Sequence, residues 1–397
     1  MKILWVKADF LHPTNRGGQI RTLGILQRLH RRHEIHYAAM DDGRHPEGFA
    51  RAREYSTEAY AVPNFVPEKT SLAFAGQLAA GLVSELPVAV ARYRSAKHRR
   101  LIEGLLEKHR FDSVVCDFLF PAPNIPDLAS AVLFEHNVET MIWRRHVEHA
   151  RDPLRRLYLR LQARKMEAFE RQSCRRAGHV ITVSETDSEI MRRIFGDVRV
   201  SEIPTGVDLE YFAPAPSAPS ADLVFVGSMD WMPNIDGAEW FVSEILPRIR
   251  RRRPETTVAI VGRRPVKSIR DLAARTPGLA ITGTVPDVRP YLWGAKASVV
   301  PLRIGGGTRL KIYESMAAML PVVSTTVGAE GLPLTPGEHL EIADQPEEFA
   351  EKCVALLGDE ARRRRMAAEA RDFVAARFSW DSVAAVVERI LAAGPRP

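Results

Sequence analysis

The segment from Gly305 to Glu314 combines three consecutive glycines with two cations and one carboxylate. Glycines between a strand and a helix let an anionic ligand approach the backbone, and the helix start offers unpaired N–H groups and the positive end of its dipole. Arg309 and Lys311 add formal positive charge, which suits a diphosphate. Glu314 shares a helix face with Lys311, where it is placed to accept hydrogen bonds from ribose hydroxyls. The alternative is a glycine-rich turn with an exposed Lys–Glu pair.

Two other glycine positions follow predicted strands in the same way. Gly17 and Gly18 separate a strand from a helix that begins near Gln19, and Gly227–Ser228 follows a strand that leads into a helix. The first turn of each helix can offer amides to an anion, and Ser228 adds a hydroxyl. A pair of glycines is also common in simple turns, which is the alternative for Gly17 and Gly18.

His136 lies at the end of the predicted strand 131–136. Catalytic groups of parallel sheets usually lie at the carboxyl ends of the strands, and histidine can exchange protons near neutral pH. This position makes His136 a candidate catalytic residue. A structural histidine hydrogen-bonded to backbone is the alternative.

Several other kinds of site are missing from the sequence. It contains no Asp-x-Asp pair of the kind that holds a metal in single-domain sugar transferases, no Walker A loop and no G-x-S-x-G motif. The cysteines Cys116, Cys174 and Cys353 lie far apart and form no metal-binding spacing, so we expect neither disulfides nor structural zinc. We predict a reaction without a metal ion or a bound cofactor.

Apolar runs rich in valine and isoleucine alternate with helical patterns along the whole chain, which predicts an α/β fold with parallel sheets covered on both faces. A Pro/Ala/Ser stretch at 211–221 suits a linker between two Rossmann-like halves, with ligands at the carboxyl ends of the strands. The predicted strands are 3–8, 35–40, 59–62, 113–118, 131–136 and 179–184 in the first half, and 222–227, 257–262, 279–283, 297–302 and 321–325 in the second. The predicted helices include 19–32, 154–176, 235–250, 266–275, 308–319, 346–357 and 360–376.

The net charge of +7 lies entirely in the first half of the chain. Residues 1–205 hold 32 basic and 25 acidic side chains, and the stretch from Arg144 to Arg176 alone holds eleven basic against four acidic. Such a face favours an anionic partner, which is a membrane surface, a phospholipid-linked substrate or, least favoured because no binding motif is present, nucleic acid. The alternative is a solvated helix face.

Neither the opening residues nor the most apolar later window of the first half predicts insertion into a membrane. The opening residues MKILWVKADF have too short an apolar run for a secretion signal, and the most apolar later window, 71–91, is interrupted by Glu85 and Pro87. We expect a cytoplasmic protein with peripheral contact at the inner face of the membrane through its basic first half.

Taken in order, these segments resemble the GT-B glycosyltransferases, specifically the retaining group known as family 4. The resemblance covers nearly the whole chain and is carried by GGQIRTLGILQRL, EHN, VSETDSEIMRRIF, IPTGVDLEYF, LVFVGSMDWMPNIDGAEWF, the run from Gly283 to Leu332, and RFSWDSVAAVVERIL. It implies an acceptor-binding Rossmann-like domain at 1–208 and a nucleotide-sugar-binding one at 209–376, facing across a cleft. A C-terminal helix at 377–397 would then cross back to the first domain.

The resemblance also implies roles for single residues in binding a nucleotide-sugar. The family has two glutamates seven residues apart. The second falls on Glu314, which would hold the ribose, and the first falls on Gly306, so the usual contact with the donor sugar is missing. The donor-sugar region is therefore Gly305 and Gly306. Gly283 and Val285 match the turn that contacts the base, and His136 matches a histidine beside the donor sugar.

The diphosphate site implied by the resemblance departs from the family pattern. Family members tend to carry an arginine and a lysine in the loop after the first strand of the second domain, and here that loop contains neither. We predict that Arg309 and Lys311 replace them. The full set expected around the diphosphate is Gly17, Gly18, Ser228, Gly307, Thr308, Arg309 and Lys311.

The resemblance also implies a mechanism. In that mechanism, the sugar is transferred with retention of configuration and without a metal ion, while helix N-termini and cations stabilise the diphosphate leaving group. The donor would be a nucleotide diphosphate-sugar and the acceptor a glycan or a lipid-linked molecule, in cell-surface polysaccharide or glycolipid synthesis. Two alternatives share this architecture: a nucleotide-sugar epimerase, and a non-catalytic nucleotide-sugar-binding subunit.

Overall fold

The computed structural model describes residues 1–14, 17–65, 67, 71–150, 152–219, 221–304 and 310–394. The chain forms two compact units. The first contains Met1–Pro204 together with the chain from Val383 on, and the second contains Thr205–Ser382. In the described part of the chain, no helix has the length and apolar character needed to cross a membrane.

The first unit is built on a parallel sheet in the order β3-β2-β1-β4-β5-β6-β7. The central strands are buried on both faces, which is why they appear in the sequence as continuous apolar runs. Its elements are β1 (Lys2–Lys7), α1 (Gly17–His30), β2 (Glu34–Asp41), α2 (Pro46–Ala50), β3 (Glu58–Pro63), α3 (Leu72–Val83), α4 (Val88–Ala91), α5 (Ala96–Lys108), β4 (Ser113–Asp117), β5 (Ala131–Phe134), α6 (Glu139–His149), α7 (Pro153–Arg176), β6 (His179–Thr182), α8 (Glu185–Phe195) and β7 (Val200–Glu202), with short 3-10 turns at Ala52–Glu54 and Ala122–Asn124.

The second unit repeats this plan with a parallel sheet in the order β10-β9-β8-β11-β12-β13. Its elements are β8 (Ala221–Val226), α9 (Met232–Trp240), α10 (Leu246–Arg252), β9 (Val258–Val261), α11 (Lys267–Arg275), β10 (Leu279–Ile281), α12 (Arg289–Trp293), β11 (Ala295–Val300), α13 (Leu310–Ala317), β12 (Val322–Ser324), β13 (Glu341–Ile342), α14 (Pro346–Gly358) and α15 (Glu360–Phe378), followed by α16 (Trp380–Ala393), which ends in the first unit.

The predicted α/β fold with two parallel sheets is confirmed, and each predicted strand is present with its ends shifted by at most two residues. The sequence missed β7 and β13, because a three-residue and a two-residue strand with polar members give no periodic signal. The helix predicted at 235–250 is three segments, since a π-helical turn at Phe241–Ile245 separates α9 from α10. The predicted linker contains no regular element from 213 to 219.

Gly262 lets the loop after β9 approach the backbone of the loop after β8, and Gly227 lets that second loop lie against α9. A Cβ atom at Gly262 would lie 1.7 Å from the carbonyl oxygen of Gly227, and a Cβ at Gly227 would lie 2.7 Å from the side chain of Asn234. No side chain fits between these loops, so their separation is fixed by the absence of Cβ atoms. The carboxyl ends of the two central strands are thereby held together.

We predict that Gly262→Ala destabilises the second unit by at least about 3 kcal/mol, because the added methyl group collides with backbone that cannot rotate away. The measurement is the free energy of unfolding in urea. Gly104→Ala is the matched control: Gly104 lies in the middle of α5 with open space around its Cα, so the same change should stabilise by about 0.5–1 kcal/mol. An equal effect of the two substitutions would contradict the close approach.

Candidate active site

A buried carboxylate lies at the carboxyl edge of the first sheet and organises the groups around it. Asp117, the last residue of β4, accepts four hydrogen bonds: from Trp5 Nε1 (2.8 Å) and Thr22 Oγ1 (2.7 Å) at Oδ2, and from Lys7 Nζ (2.8 Å) and His136 Nε2 (2.7 Å) at Oδ1. We call these five residues the Asp117 network. Burial alone would raise the pKa of Asp117, but the attraction of the Lys7 ammonium and the hydrogen bonds from its neighbours hold that pKa below its usual range.

The ring of His136 is fixed from both sides. Arg21 donates a hydrogen bond from Nη1 to Nδ1 at 2.8 Å, so Nδ1 is the acceptor and Nε2 carries the proton that is donated to Asp117. Burial lowers the pKa of His136 to about 3, more than the nearby carboxylate raises it. The ring is therefore neutral at physiological pH, and neither nitrogen is open to a ligand in this arrangement. These contacts are structural, and the catalytic assignment of His136 stays a prediction.

Phe118 and Gly18 bring the start of α1 against this network. Phe118 has a left-handed backbone (φ 73°), and its ring stacks on His136 with centroids 4.0 Å apart. A Cβ at Gly18 would lie 2.7 Å from the Phe118 ring, whereas Gly17 has open space around it. Gly18 thus allows the first turn of α1, with its unpaired N–H groups, to lie beside the network.

Three buried carboxyl groups surround the chain on either side of His136. The carboxylate of Glu170 accepts hydrogen bonds from the backbone N–H of Glu139 (2.8 Å) and of Thr140 (2.7 Å). Among the described residues, neither oxygen of Glu135 has a hydrogen-bond partner. Burial and the neighbouring carboxyl groups raise the pKa of Glu135 and of Glu139, so both favour the neutral acid. These three carboxyl groups were not predicted from the sequence as site residues.

In the second unit, cations from two different segments reach the loop that follows β8. Ser228 Oγ donates to Asp230 Oδ1 (2.8 Å) and accepts from Arg263 Nε (2.7 Å). Asn234 donates from Nδ2 to the Ser228 carbonyl (2.9 Å) and accepts from Lys311 Nζ (2.7 Å). We call these five residues the Ser228 cluster.

The Ser228 cluster includes three residues that were not predicted from the sequence: Asp230, Asn234 and Arg263. Ser228 and Lys311 were predicted to bind the same anion, and the structure connects them through Asn234. Arg263 was not predicted. The available signal was the run VGRR, in which a glycine and two arginines follow a strand just as VGS follows the neighbouring one. Because β8 and β9 are adjacent and parallel, groups after both strands meet at one edge.

Glu314 lies on α13, one turn beyond Lys311, and is partly buried. Burial raises its pKa to about 7, and the charge of Lys311 offsets part of this effect. Glu314 also contributes to raising the pKa of Tyr211, after burial and Asp287, so these side chains lie within electrostatic reach of one another. The carboxyl group is thus poised between its two protonation states near neutral pH.

The turn predicted to contact a base has the geometry of a tight bend. Gly283 is left-handed (φ +70°) with open space around its Cα, and Val285 is partly buried against the core of the second unit. Beyond it, Arg289 forms a bidentate ion pair with Asp287 and stacks its guanidinium 3.9 Å from the Tyr211 ring. An open backbone turn thus lies close in sequence to an ion pair whose guanidinium stacks on an aromatic ring.

Some predicted site residues lie outside the described part of the chain: Gly305, Gly306, Gly307, Thr308 and Arg309. Within the described ranges, no cluster of three histidine, cysteine or acidic side chains is arranged to hold a metal ion.

Two protein-family models match the chain. The model described as "Glycosyltransferase Family 4" matches residues 15–211, and the model described as "Glycosyl transferases group 1" matches residues 220–359. Each match falls largely within one of the two units.

Individual relatives match the chain at low sequence identity. The glycogen synthase of Mycobacterium tuberculosis is 26% identical over 248 residues, which is 59% of this chain and 58% of the relative. The GDP-mannose-dependent monoacylated alpha-(1-6)-phosphatidylinositol monomannoside mannosyltransferase of Corynebacterium glutamicum is 28% identical over 252 residues, which is 57% of this chain and 66% of the relative. The chain thus spans less than two thirds of the length of either protein.

Solved structures share the fold over the full length. The sucrose-phosphate synthase of Thermosynechococcus elongatus superposes with a TM-score of 0.66 at 16% identity, covering 98% of both chains. Anabaena Alr3699/HepE, solved in complex with UDP, gives a TM-score of 0.68 at 14% identity, covering 99% of this chain and all of the other. At these identities the likeness establishes the architecture, which is GT-B.

We predict that the ring signals of His136 do not titrate between about pH 5 and 8, where an ordinary histidine changes charge. Its folded pKa of about 3 lies below its unfolded value of about 6.5, so the neutral ring contributes stability above pH 6.5 that is lost as the pH falls toward 3. Nitrogen-15 NMR of the imidazole should also show the proton on Nε2. A midpoint near pH 6.5, or a proton on Nδ1, would contradict the network described here.

Proposed function

Because the chain belongs to the family 4 glycosyltransferases of the GT-B fold, we propose that it moves a sugar from a nucleotide diphosphate-sugar to an acceptor hydroxyl, with retention and without a metal ion. That it is an enzyme of the glycosyltransferase class follows from the two family models, which match residues 15–211 and 220–359. The observation that carries the more specific proposal is that Arg263 and Lys311, from two different segments of the second unit, reach the neighbouring residues Ser228 and Asn234.

The two cations supply the charge that a diphosphate leaving group needs. Arg263 donates a hydrogen bond to Ser228 and Lys311 donates one to Asn234, so these contacts orient both cations toward the same part of the second unit. A fixed guanidinium and ammonium stabilise the negative charge that develops as the glycosidic bond breaks, and they need not reorganise to do so. They take the place of the cations that the loop after β8 lacks.

The proposal assigns the predicted glycine-rich segment to the same diphosphate. Gly307, Thr308 and Arg309 precede α13, whose first turn follows directly, so an anion held by the Ser228 cluster would also meet backbone amides there. Gly305 and Gly306 would face the donor sugar. Gly17 and Gly18 would offer amides of α1 from the first unit.

Glu314 would accept hydrogen bonds from the ribose hydroxyls, and the open turn at Gly283 and Val285 would contact the base with its backbone. With a pKa raised to about 7, the carboxyl group of Glu314 is partly protonated when the site is empty. Two hydroxyl donors favour the ionised form, so nucleotide-sugar binding would release part of a proton near neutral pH.

In the transfer itself, the acceptor hydroxyl would attack the sugar from the side on which the diphosphate departs, and its proton would pass to a diphosphate oxygen. His136 would lie beside the donor sugar as a neutral ring. Since Asp117 and Arg21 engage both of its nitrogens, it would orient the neighbouring backbone and Phe118, and it would not itself exchange protons.

For the acceptor, we propose a glycan or lipid-linked molecule of the cell surface, used by a cytoplasmic protein with peripheral contact at the membrane. Three relatives act on phosphatidylinositol-linked substrates by name, including the Corynebacterium glutamicum mannosyltransferase. Another lies in a cps region of Klebsiella pneumoniae. The basic first half of this chain suits such a location.

The proposal is tested by incubating the purified protein with GDP-mannose, UDP-glucose and related donors, with and without lipid and glycan acceptors, in excess EDTA. We expect an acceptor-dependent product whose new bond keeps the donor's anomeric configuration, as read by proton NMR. Interconversion of the donor without acceptor would identify an epimerase. Tight donor binding without turnover on any acceptor would identify a non-catalytic subunit, and loss of transfer in EDTA would refute metal independence.

We predict that Arg263→Ala and Lys311→Ala each weaken nucleotide-sugar binding by about 10- to 100-fold, the loss expected when a charged hydrogen-bond donor is removed. Affinity is measured by isothermal titration calorimetry at fixed ionic strength. Lys267→Ala is the matched control, because Lys267 is exposed near the start of α11 and pairs with Asp271. Wild-type affinity in both Arg263→Ala and Lys311→Ala would show that this cation pair does not hold the diphosphate.

A further inference from the structure

Four of the five most exposed large apolar side chains of the described residues lie on α3 and on the start of α7, two helices that contact each other. The five with the largest exposed fractions are Leu72 (92%), Val83 (88%), Phe65 (78%), Leu154 (78%) and Leu157 (65%). Leu72 and Val83 lie at the two ends of α3, Leu154 and Leu157 lie in the first turns of α7, and Phe65 follows β3. We call α3 with residues 154–164 of α7 the α3–α7 surface. Exposed apolar groups concentrated in this way mark an interaction site.

Helix α3 is apolar on its outer side and carries no charged residue from Leu72 to Val83. Gly81 is its one buried residue, so most of the helix faces outward. A helix of this length is marginal in water on its own. The apolar outer side of α3 is therefore suited to contact with an apolar partner.

Polar contacts with α7 hold α3 in place through its backbone. Tyr158 Oη donates to the carbonyl of Leu78 (3.2 Å), and Gln162 Nε2 donates to the carbonyl of Gly81 (2.8 Å). Lys165 Nζ donates to the carbonyls of Gly81 (2.8 Å) and Leu82 (3.0 Å), at the negative end of the α3 dipole. Because backbone groups make the attachment, the apolar side chains of α3 remain on the outside.

The neighbouring part of α7 is strongly positive. From Pro153 to Met166 it contains four arginines and one lysine, and no acidic residue. Arg155, Arg156, Arg160 and Arg164 are exposed, and none of them forms an ion pair with another described residue. An uncharged apolar helix is thus bordered by uncompensated positive charge.

We propose that the α3–α7 surface docks on an anionic phospholipid bilayer. The apolar side chains of α3 and of the α7 start enter the boundary between headgroups and acyl chains, and the arginines bind lipid phosphates. With only twelve residues, α3 lies in the interface and does not span the membrane. The proposal extends the peripheral location in the proposed function, but the docking itself needs no sugar transfer.

Two other occupants fit the surface less well. A second copy of the chain, paired face to face, would bring the exposed arginines of both copies together, and like charges in contact oppose association. Nucleic acid would use the arginines but would leave the leucines and Val83 in water, and it gains most from aromatic groups placed between the charges. A lipid surface satisfies both the apolar and the positive part.

The test is co-sedimentation of the full chain with vesicles of phosphatidylcholine containing phosphatidylglycerol, compared with phosphatidylcholine alone. We expect binding to the anionic vesicles, decreasing as salt rises from about 50 to 300 mM. Arg155→Glu/Arg156→Glu should reduce the partition coefficient at least about tenfold, since each arginine near such a surface contributes about fivefold. Leu72→Asp/Val83→Asp should reduce binding at low salt as well, because it removes the apolar part.

Arg99→Glu/Arg100→Glu is the matched control: it reverses an adjacent exposed pair on α5 of the same unit and should keep wild-type binding. A fluorophore on Leu72→Cys adds a direct readout, since Cys116, Cys174 and Cys353 are buried, and its emission should shift to the blue with anionic vesicles. Nucleotide-sugar binding without vesicles, measured on every variant, should be unchanged, which shows that the variants fold and separates this proposal from the proposed function.

No binding of the wild-type chain to anionic vesicles would overturn the proposal, as would binding that survives both double substitutions. A wild-type dimer in light scattering that Leu72→Asp/Val83→Asp converts to a monomer, without any vesicle binding, would assign the surface to a second copy.

Discussion

The carboxylate of Asp117 is the constraint on which the first unit depends. It lies at the end of β4 with no exposure to solvent, and it is stable there as an anion because four donors converge on it. Those donors belong to β1, α1 and the residues after β5, so one group fixes the relative positions of three elements at the edge where a ligand would approach. Removing any charged partner would leave a buried charge uncompensated, which typically costs about 3–5 kcal/mol. The contact also orients the ring of His136, whose neutral state is due to burial.

The second unit holds the elements at the edge of its sheet together by different means. The loops after β8 and β9 approach each other because Gly262 has no side chain, and Arg263 and Lys311 then reach the side chains of Ser228 and Asn234. Donors of the first unit thus meet the buried charge of Asp117, whereas the proposed function assigns Arg263 and Lys311 of the second unit to an anionic ligand.

Helix α7 connects two parts of the first unit. Its start, with Leu154, Leu157 and the exposed arginines, forms part of the α3–α7 surface, while Glu170 near its other end accepts hydrogen bonds from the residues just after His136. At about 1.5 Å per residue, its 24 residues span about 36 Å. A single rigid element therefore connects the proposed membrane contact with the Asp117 network.

The amino-acid sequence by itself determined the α/β fold, the positions of the longer strands and helices, the basic first half and the glycines after the strands, because each of these leaves a local pattern of residue types. It also predicted that Ser228 and Lys311 bind one anion, and this stays a prediction. It could not show that Asp117 gathers donors from residues more than a hundred positions away, or that Arg263 reaches Ser228 from the next strand, because strand order in a sheet decides which loops meet. Nor could it show that His136 is neutral, because burial in the folded chain lowers the pKa of that ring. It also could not show that apolar residues of α3 are exposed, because only packing against α7 decides which side of a helix without charged residues faces outward.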